Sequence, residues 1–169
     1  MKNIGVIGLG DMGSGIALNL IKNGFKVFGS DLLPARQQAF KNMGGSLEIS
    51  IADIGKKCDA VFVMVMNGSQ AKSIIFDEDG LARNMEAGST VILSATIKPS
   101  EAEEIGHLIK DTGLQFIDTP VSGGFPGAQS GTLTLMASAS EDVMNKNRDV
   151  LEAISCLLYT SPSPRDVRS

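Results

Sequence analysis

Cysteine and histidine are scarce in this chain, with two of the first and one of the second among 169 residues. Cys58 and Cys156 lie far apart and lack the paired spacing of metal ligands, so neither a disulfide framework nor a zinc site has support. His107 falls late on a helical stretch and reads as a surface or helix-end residue. No Ser-His-Asp set and no metal cluster can be assembled around it. Basic residues are also thin: 15 Lys and Arg against 19 Asp and Glu give a net charge of −4, and the cations do not cluster. That distribution argues against nucleic acid as a partner. Long apolar runs are missing too. No stretch approaches the ~20 residues that cross a bilayer, and the N-terminus enters a strand pattern directly. A cytoplasmic chain without a membrane partner is therefore expected.

What the sequence does contain is alternation. Hydrophobic residues make up 43% and charged residues 20%, the balance of an ordinary globular domain. Near-continuous apolar runs at 3–8, 26–30, 60–66, 90–95 and 114–118 predict parallel strands covered on both faces. Helical patterns separate them. Met12, Ile16, Leu20 and Ile21 form one stripe, which Gly24 stops. A second helix starts near Pro34 and ends before Gly44. Ser50 caps a short helix over 51–57, and 69–76 reads as another. Pro99 opens a helix carrying Ala102, Ile105 and Ile109, with Gly113 past its end. This order predicts an α/β fold built on a doubly wound parallel sheet. A glycine-rich loop at 123–127 follows, then an apolar run from Leu133 to Ala139. Ser140 caps a last helix with Val143, Val150, Leu151 and Ile154 on one face.

Within that order, residues 4–15 carry the most information. Gly8, Gly10 and Gly13 form a G-x-G-x-x-G between a strand and a helix, and Asp31 closes the next apolar run 18 residues later. In this setting the pattern points to a dinucleotide pyrophosphate and a Rossmann-type domain. Gly8 permits the tight turn, Gly10 lets the backbone approach the phosphates, and Gly13 lets helix and strand pack closely. The N–H groups of the first helical turn then face the anion. Charge-assisted bonds are worth roughly 1.5–3 kcal/mol each, so a few suffice without a basic side chain. Gly8, Leu9, Gly10, Asp11, Met12 and Gly13 are the expected cofactor-binding turn. Asp31 is placed to accept bonds from the adenosine ribose hydroxyls, which favours NAD. NADP would set its 2′-phosphate against a like charge, a repulsion that Arg36 softens. Met66 and Asn67 stand at a strand's carboxyl end, where open α/β sheets bind ligands, although Met66 serves equally well as core packing.

From Cys156 the composition changes. The closing Cys-Leu-Leu-Tyr-Thr-Ser-Pro-Ser-Pro-Arg-Asp-Val-Arg-Ser has no repeating apolar face, and it is similar to translated sequencing-adapter DNA joined to a truncated reading frame. The expected organisation is one domain over 1–155 and an unstructured tail over 156–169.

Three segments resemble the β-hydroxyacid dehydrogenase family, which includes 3-hydroxyisobutyrate dehydrogenase and tartronate semialdehyde reductase. Gly8-Leu9-Gly10-Asp11-Met12-Gly13 is similar to its G-L-G-x-M-G. Ala95-Thr96-Ile97-Lys98-Pro99 is similar to its S-T-I-x-P loop. Asp118-Thr119-Pro120-Val121-Ser122-Gly123-Gly124 resembles its D-A-P-V-S-G-G signature and is the most specific of the three. Val65-Met66-Asn67-Gly68-Ser69-Gln70, Val91-Ile92-Leu93-Ser94 and Leu135-Met136-Ala137-Ser138 are similar to the L-threonate dehydrogenase branch. The resemblance implies an NAD(P)-dependent oxidoreductase acting on the alcohol group of a small hydroxy acid, homo-oligomeric at full length. Ser122, Gly123 and Gly124 would hold the substrate carboxylate, a role suited to a hydroxyl and glycine-exposed amides. The alternative is a plain glycine-rich turn. Thr96 would border the nicotinamide, or else cap the following helix. The family's proton-transfer lysine sits in a G-x-x-x-K-x-x-x-N pattern that these 169 residues do not contain, so no catalytic residue is assigned here and the helical C-terminal domain is expected to be missing. Lys72, Lys98 and Lys110 read as solvated surface charges. An NAD(H)-binding module without turnover is the reading from a different functional class.

Overall fold

Apolar runs covered on both faces become the central strands of one sheet. The computed structural model describes residues 2–94, 97–122 and 128–161. β1 (Asn3–Ile7), β2 (Lys26–Ser30), β3 (Ser46–Leu47), β4 (Ala60–Val63), β5 (Thr90–Leu93) and β6 (Gln115–Asp118) pair in parallel in the order β3-β2-β1-β4-β5-β6. This is the doubly wound arrangement predicted, with a crevice at the carboxyl ends where the order reverses beside β1. The helices are α1 (Asp11–Lys22), α2 (Pro34–Asn42), α3 (Ile51–Lys57), α4 (Gly68–Phe76), α5 (Leu81–Asn84), α6 (Pro99–Ile109) and α7 (Glu141–Ala153).

Alternate residues of each strand serve opposite cores. Ile4, Val6, Phe62, Ile92 and Ile117 meet Ile16 and Leu20 of α1 and Val150 and Leu151 of α7. Ile7, Val61, Val63, Val91 and Leu93 meet Ile54 of α3, Ile75 of α4 and Ile105 and Ile109 of α6. Each fully buried Phe or Ile contributes ~1.5–3 kcal/mol relative to exposure, so neither layer can be peeled off cheaply. The caps follow the predicted residues. Ser50 and Ser140 accept N–H bonds from Asp53 and Val143, and Pro34 and Pro99 open their helices.

Several features went unpredicted. β3 and α5 are too short to carry a period. Beyond β6 the sheet turns antiparallel: β8 (Leu133–Ser138) pairs with β6 and with the two-residue β7 (Val121–Ser122). The strands expected to reach residues 66 and 95 end at Val63 and Leu93, after which one more N–H each (Met64 to Ile7, Ser94 to Val63) completes the ladder.

The expected unstructured tail from Cys156 is corrected by β9 (Ser155–Ser161), a strand pairing in parallel with β8 from Leu133 to Ser138. Its backbone groups find partners in β8, and Leu158 packs against the core beneath α1 and α7. A four-residue apolar run, Cys156 to Tyr159, supplies enough for an edge strand without showing any periodicity. The described domain thus runs to Ser161. Residues 162–169 lie outside the described residues.

Candidate dinucleotide-binding site

The turn between β1 and α1 is fixed by backbone atoms on all sides. Gly8 has φ +96°, and a Cβ there would stand 2.3 Å from the Met64 carbonyl oxygen. A Cβ on Gly13 would stand 1.8 Å from the carbonyl oxygen of Gly8. Neither position admits a side chain, which is why the helix can start so close to the strand. The Gly8 N–H donates to Ser30 O at 3.0 Å, and the Ser14 hydroxyl donates to Leu9 O at 2.6 Å. Leu9 buries its side chain in the core and donates its N–H to Asp31 Oδ2 at 2.8 Å. Asp31 Oδ1 accepts the Leu33 N–H at 2.9 Å. Asp31 therefore braces the glycine turn itself, a role beyond the ribose contact read from its spacing. Ser14, which locks the same turn, carried no signal in the sequence.

Gly10 differs from its two neighbours. It is the N-cap of α1 in ordinary extended conformation, and no side chain caps the helix. The nearest atoms to an added Cβ would be those of the Arg36 guanidinium, at 3.6–3.7 Å, which is normal contact. Among the described residues nothing excludes a methyl group at Gly10. Gly10 stands at the positive end of α1, where a phosphate needs the backbone bare. These residues fit a dinucleotide: a cradle that a Cβ would fill, at an uncapped helix N-terminus, beside a bracing carboxylate.

The other expected cofactor residues divide. Asp11 is exposed in the first turn of α1, and Met12 packs partly into the core. Met66 is 81% exposed at the carboxyl end of β4, which removes the core-packing alternative. Asn67 caps α4 by accepting the Gln70 N–H at 2.9 Å, and Gln70 Oε1 in turn accepts the Met66 N–H at 3.1 Å. Thr96, Gly123 and Gly124 lie outside the described residues. Helix α6 begins with Lys98 as N-cap, whose N–H bonds to Glu101 Oε1 at 3.1 Å. Lys72 pairs with Glu104 at 2.8 Å, and His107 is exposed in the last turn of α6. Among the described residues no group of His, Cys, Asp or Glu is placed to hold a metal ion.

The signature begins with Asp118 at the carboxyl end of β6, and the backbone of Ser122, in β7, pairs with Thr134 of β8. Helix α1 is tied to the chain that follows the signature. The buried Asn19 amide donates to Ala128 O at 2.7 Å and to Gln129 O at 2.9 Å. A Cβ on Gly15 would stand 2.6 Å from the Ala128 backbone. The glycine turn and the backbone at Ala128 and Gln129 thus meet on one helix. Thr119, where the resembled pattern has alanine, keeps its hydroxyl buried with no hydrogen-bond partner, as does Ser94.

Burial raises the Asp118 carboxyl above its ordinary value of 3.8. Folding therefore favours the protonated form. The stability linked to it is full below the unfolded value and is lost as pH rises through the folded one. Asp118→Asn is expected to raise the melting temperature by a few degrees at pH 7 and to match the parent chain near pH 3. Thermal denaturation at the two pH values checks this, and an equal difference at both contradicts it.

A profile for the NAD-binding domain of 6-phosphogluconate dehydrogenase matches residues 3–161. The chain belongs to this family. It is 42% identical over 158 residues to an L-threonate dehydrogenase of Cupriavidus necator, covering 94% of this chain and 53% of that protein. It is 34% identical over 151 residues to the mitochondrial 3-hydroxyisobutyrate dehydrogenase of Mus musculus, covering 89% and 45%. The crystal structure of a 3-hydroxyisobutyrate dehydrogenase from Salmonella typhimurium superposes with a TM-score of 0.90 at 32% identity, over 96% of this chain and 57% of that one. The chain spans about half the length of the curated relatives it matches. The family match includes β9, in agreement with the strand there. No helix among the described residues is long and apolar enough to cross a membrane.

Proposed function

We propose that this chain is the cofactor-binding half of an NAD-dependent dehydrogenase that oxidises the alcohol group of a small, L-threonate-like hydroxy acid. The observation that carries the reading is Gly10, at the uncapped N-terminus of α1, where the described residues would accept a side chain and the sequence has none. Gly8, Gly10 and Gly13 with the amides of the first turn of α1 hold the pyrophosphate. Asp31 accepts bonds from the ribose hydroxyls. Met66 and Asn67 edge the crevice. A bound nicotinamide dinucleotide supplies the hydride acceptor. Ser122 and the amides of Gly123 and Gly124 bind the substrate carboxylate, and Thr96 borders the ring. Asn19 ties the chain that follows, at Ala128 and Gln129, to the helix of the glycine turn. The 42% identity to an L-threonate dehydrogenase supports the threonate-like substrate. The 3-hydroxyisobutyrate relatives support 3-hydroxyisobutyrate or tartronate semialdehyde as the second reading. An NAD(H)-binding module without turnover has no need of a carboxylate pocket.

The cofactor preference is testable by calorimetry. NAD is expected to bind about tenfold tighter than NADP, well short of the several kcal/mol that an unrelieved like-charge contact can cost. Equal or tighter binding of NADP contradicts the role given to Asp31.

A further inference from the structure

We propose that the outer edge of β9 is a self-association surface, on which a second copy of this chain adds its own β9 antiparallel across a two-fold axis. β8 carries β6 and β7 along one edge and β9 along the other. β9 is therefore the last strand at the end of the sheet opposite β3. Among the described residues no strand pairs with its far edge. Alternate residues of β9 turn their N–H and C=O groups away from β8, and such a row is a template for one more strand.

The edge lacks the features that keep strands apart. Ser155-Cys156-Leu157-Leu158-Tyr159-Thr160-Ser161 contains no charge, no proline and no glycine, and it is not short. The opposite end of the sheet offers no match for it, since β3 has only two residues. A head-to-tail array of copies therefore has no second surface on which to grow. A second β9 does match. Read outwards from Leu158 the segment repeats its own character: Leu157 and Tyr159 are large, Cys156 and Thr160 are small, and Ser155 and Ser161 are identical. Two copies paired antiparallel about Leu158 set Leu157 opposite Tyr159, Cys156 opposite Thr160 and Ser155 opposite Ser161. Each pairing occurs twice, as an isologous contact requires, and no like charges meet. Leu158 packs against the core of its own copy, which fixes the strand before any partner arrives. Cys156 and Thr160, two residues to either side, are exposed on the same face. One strand edge is a small contact beside that of a permanent dimer, so the pair forms and separates with concentration.

The test is sedimentation of the 169-residue chain over a dilution series, under reducing conditions so that Cys156 forms no disulfide. The weight-average mass is expected to climb with concentration towards that of two chains and no further. The double substitution Cys156→Lys with Thr160→Lys sets cations opposite one another at two places in the pair, and Cys156→Glu with Thr160→Glu does the same with anions. Each double variant is expected to weaken dimerisation at least about tenfold. An equimolar mixture of the two is expected to dimerise again, one copy of each, because every introduced cation then meets an anion. Recovery on mixing separates lost pairing from a damaged fold, which mixing would not repair, and thermal denaturation of the same samples reports the fold directly. A parent chain that stays monomeric at every concentration overturns the proposal, as does a dimer that persists unchanged in both variants. Growth beyond two copies, or a mixture that stays monomeric, overturns the two-fold pairing about Leu158.

Discussion

Replacing Gly13 by alanine is expected to lower thermal stability and to weaken NAD binding at least about a hundredfold. The Cβ would stand 1.8 Å from the Gly8 carbonyl oxygen, a backbone atom that no rotamer change can move aside. Relief comes only by lifting the start of α1 away from β1. Overpacking of this kind costs ~1–3 kcal/mol and sometimes more. The same shift displaces the first-turn amides from the phosphates. Losing two charge-assisted bonds at roughly 1.5–3 kcal/mol each corresponds to a hundredfold or more. Calorimetry beside thermal denaturation measures both effects. An alanine variant that melts with the parent chain and binds NAD as tightly would show that the helix start is looser than this geometry states.

The second large effect concerns turnover. The chain is expected to bind NAD(H) and yet to produce NADH from L-threonate, 3-hydroxyisobutyrate or glycerate at no useful rate. Oxidising an alcohol requires a group to take the hydroxyl proton as hydride leaves, and such catalysis contributes ~10²–10⁴-fold. The lysine pattern that the resemblance assigns to that step does not occur in these residues. Lys72 is paired with Glu104, and His107 lies exposed late on α6. Holding the alcohol carbon in position and excluding water adds further factors, and the chain spans only about half of its curated relatives. Robust turnover by the 169-residue chain would place a base within it. Lys98, at the N-terminus of α6 on the carboxyl side of β5, would then be the first residue to replace.

How much of this was legible in the sequence depended on period and on chemistry. The six parallel strands read well, except for β3, because strands buried on both faces are apolar almost without interruption. Two residues of β3 and four of α5 offer no period to read. The edge strand β9 was read as a tail for the same reason: its partner is the backbone of β8, and backbone pairing leaves no mark on composition. At the site, the glycine spacing announced the turn. It did not distinguish Gly8 and Gly13, which the fold requires, from Gly10, which the fold does not. That difference depends on Met64 and on the Gly8 carbonyl coming close in space. The bracing of the turn by Asp31 and Ser14 and the reach of Asn19 to Ala128 are likewise side-chain bonds to distant or irregular backbone, invisible to any local pattern.

That distinction at Gly10 also provides the most direct test of dinucleotide binding at this turn. In the Gly10→Ala variant, the nearest neighbour of the added methyl among the described residues is the flexible Arg36 side chain at 3.6–3.7 Å, and the backbone conformation is one that any residue adopts. The expected result is a melting temperature within about a degree of the parent chain, as for a substitution that meets no packed or strained feature. NAD affinity, measured by calorimetry on the same sample, should fall at least about tenfold, since the methyl occupies the path of the pyrophosphate. Unchanged NAD affinity in a normally folded Gly10→Ala chain would contradict the assignment of this cradle to the cofactor.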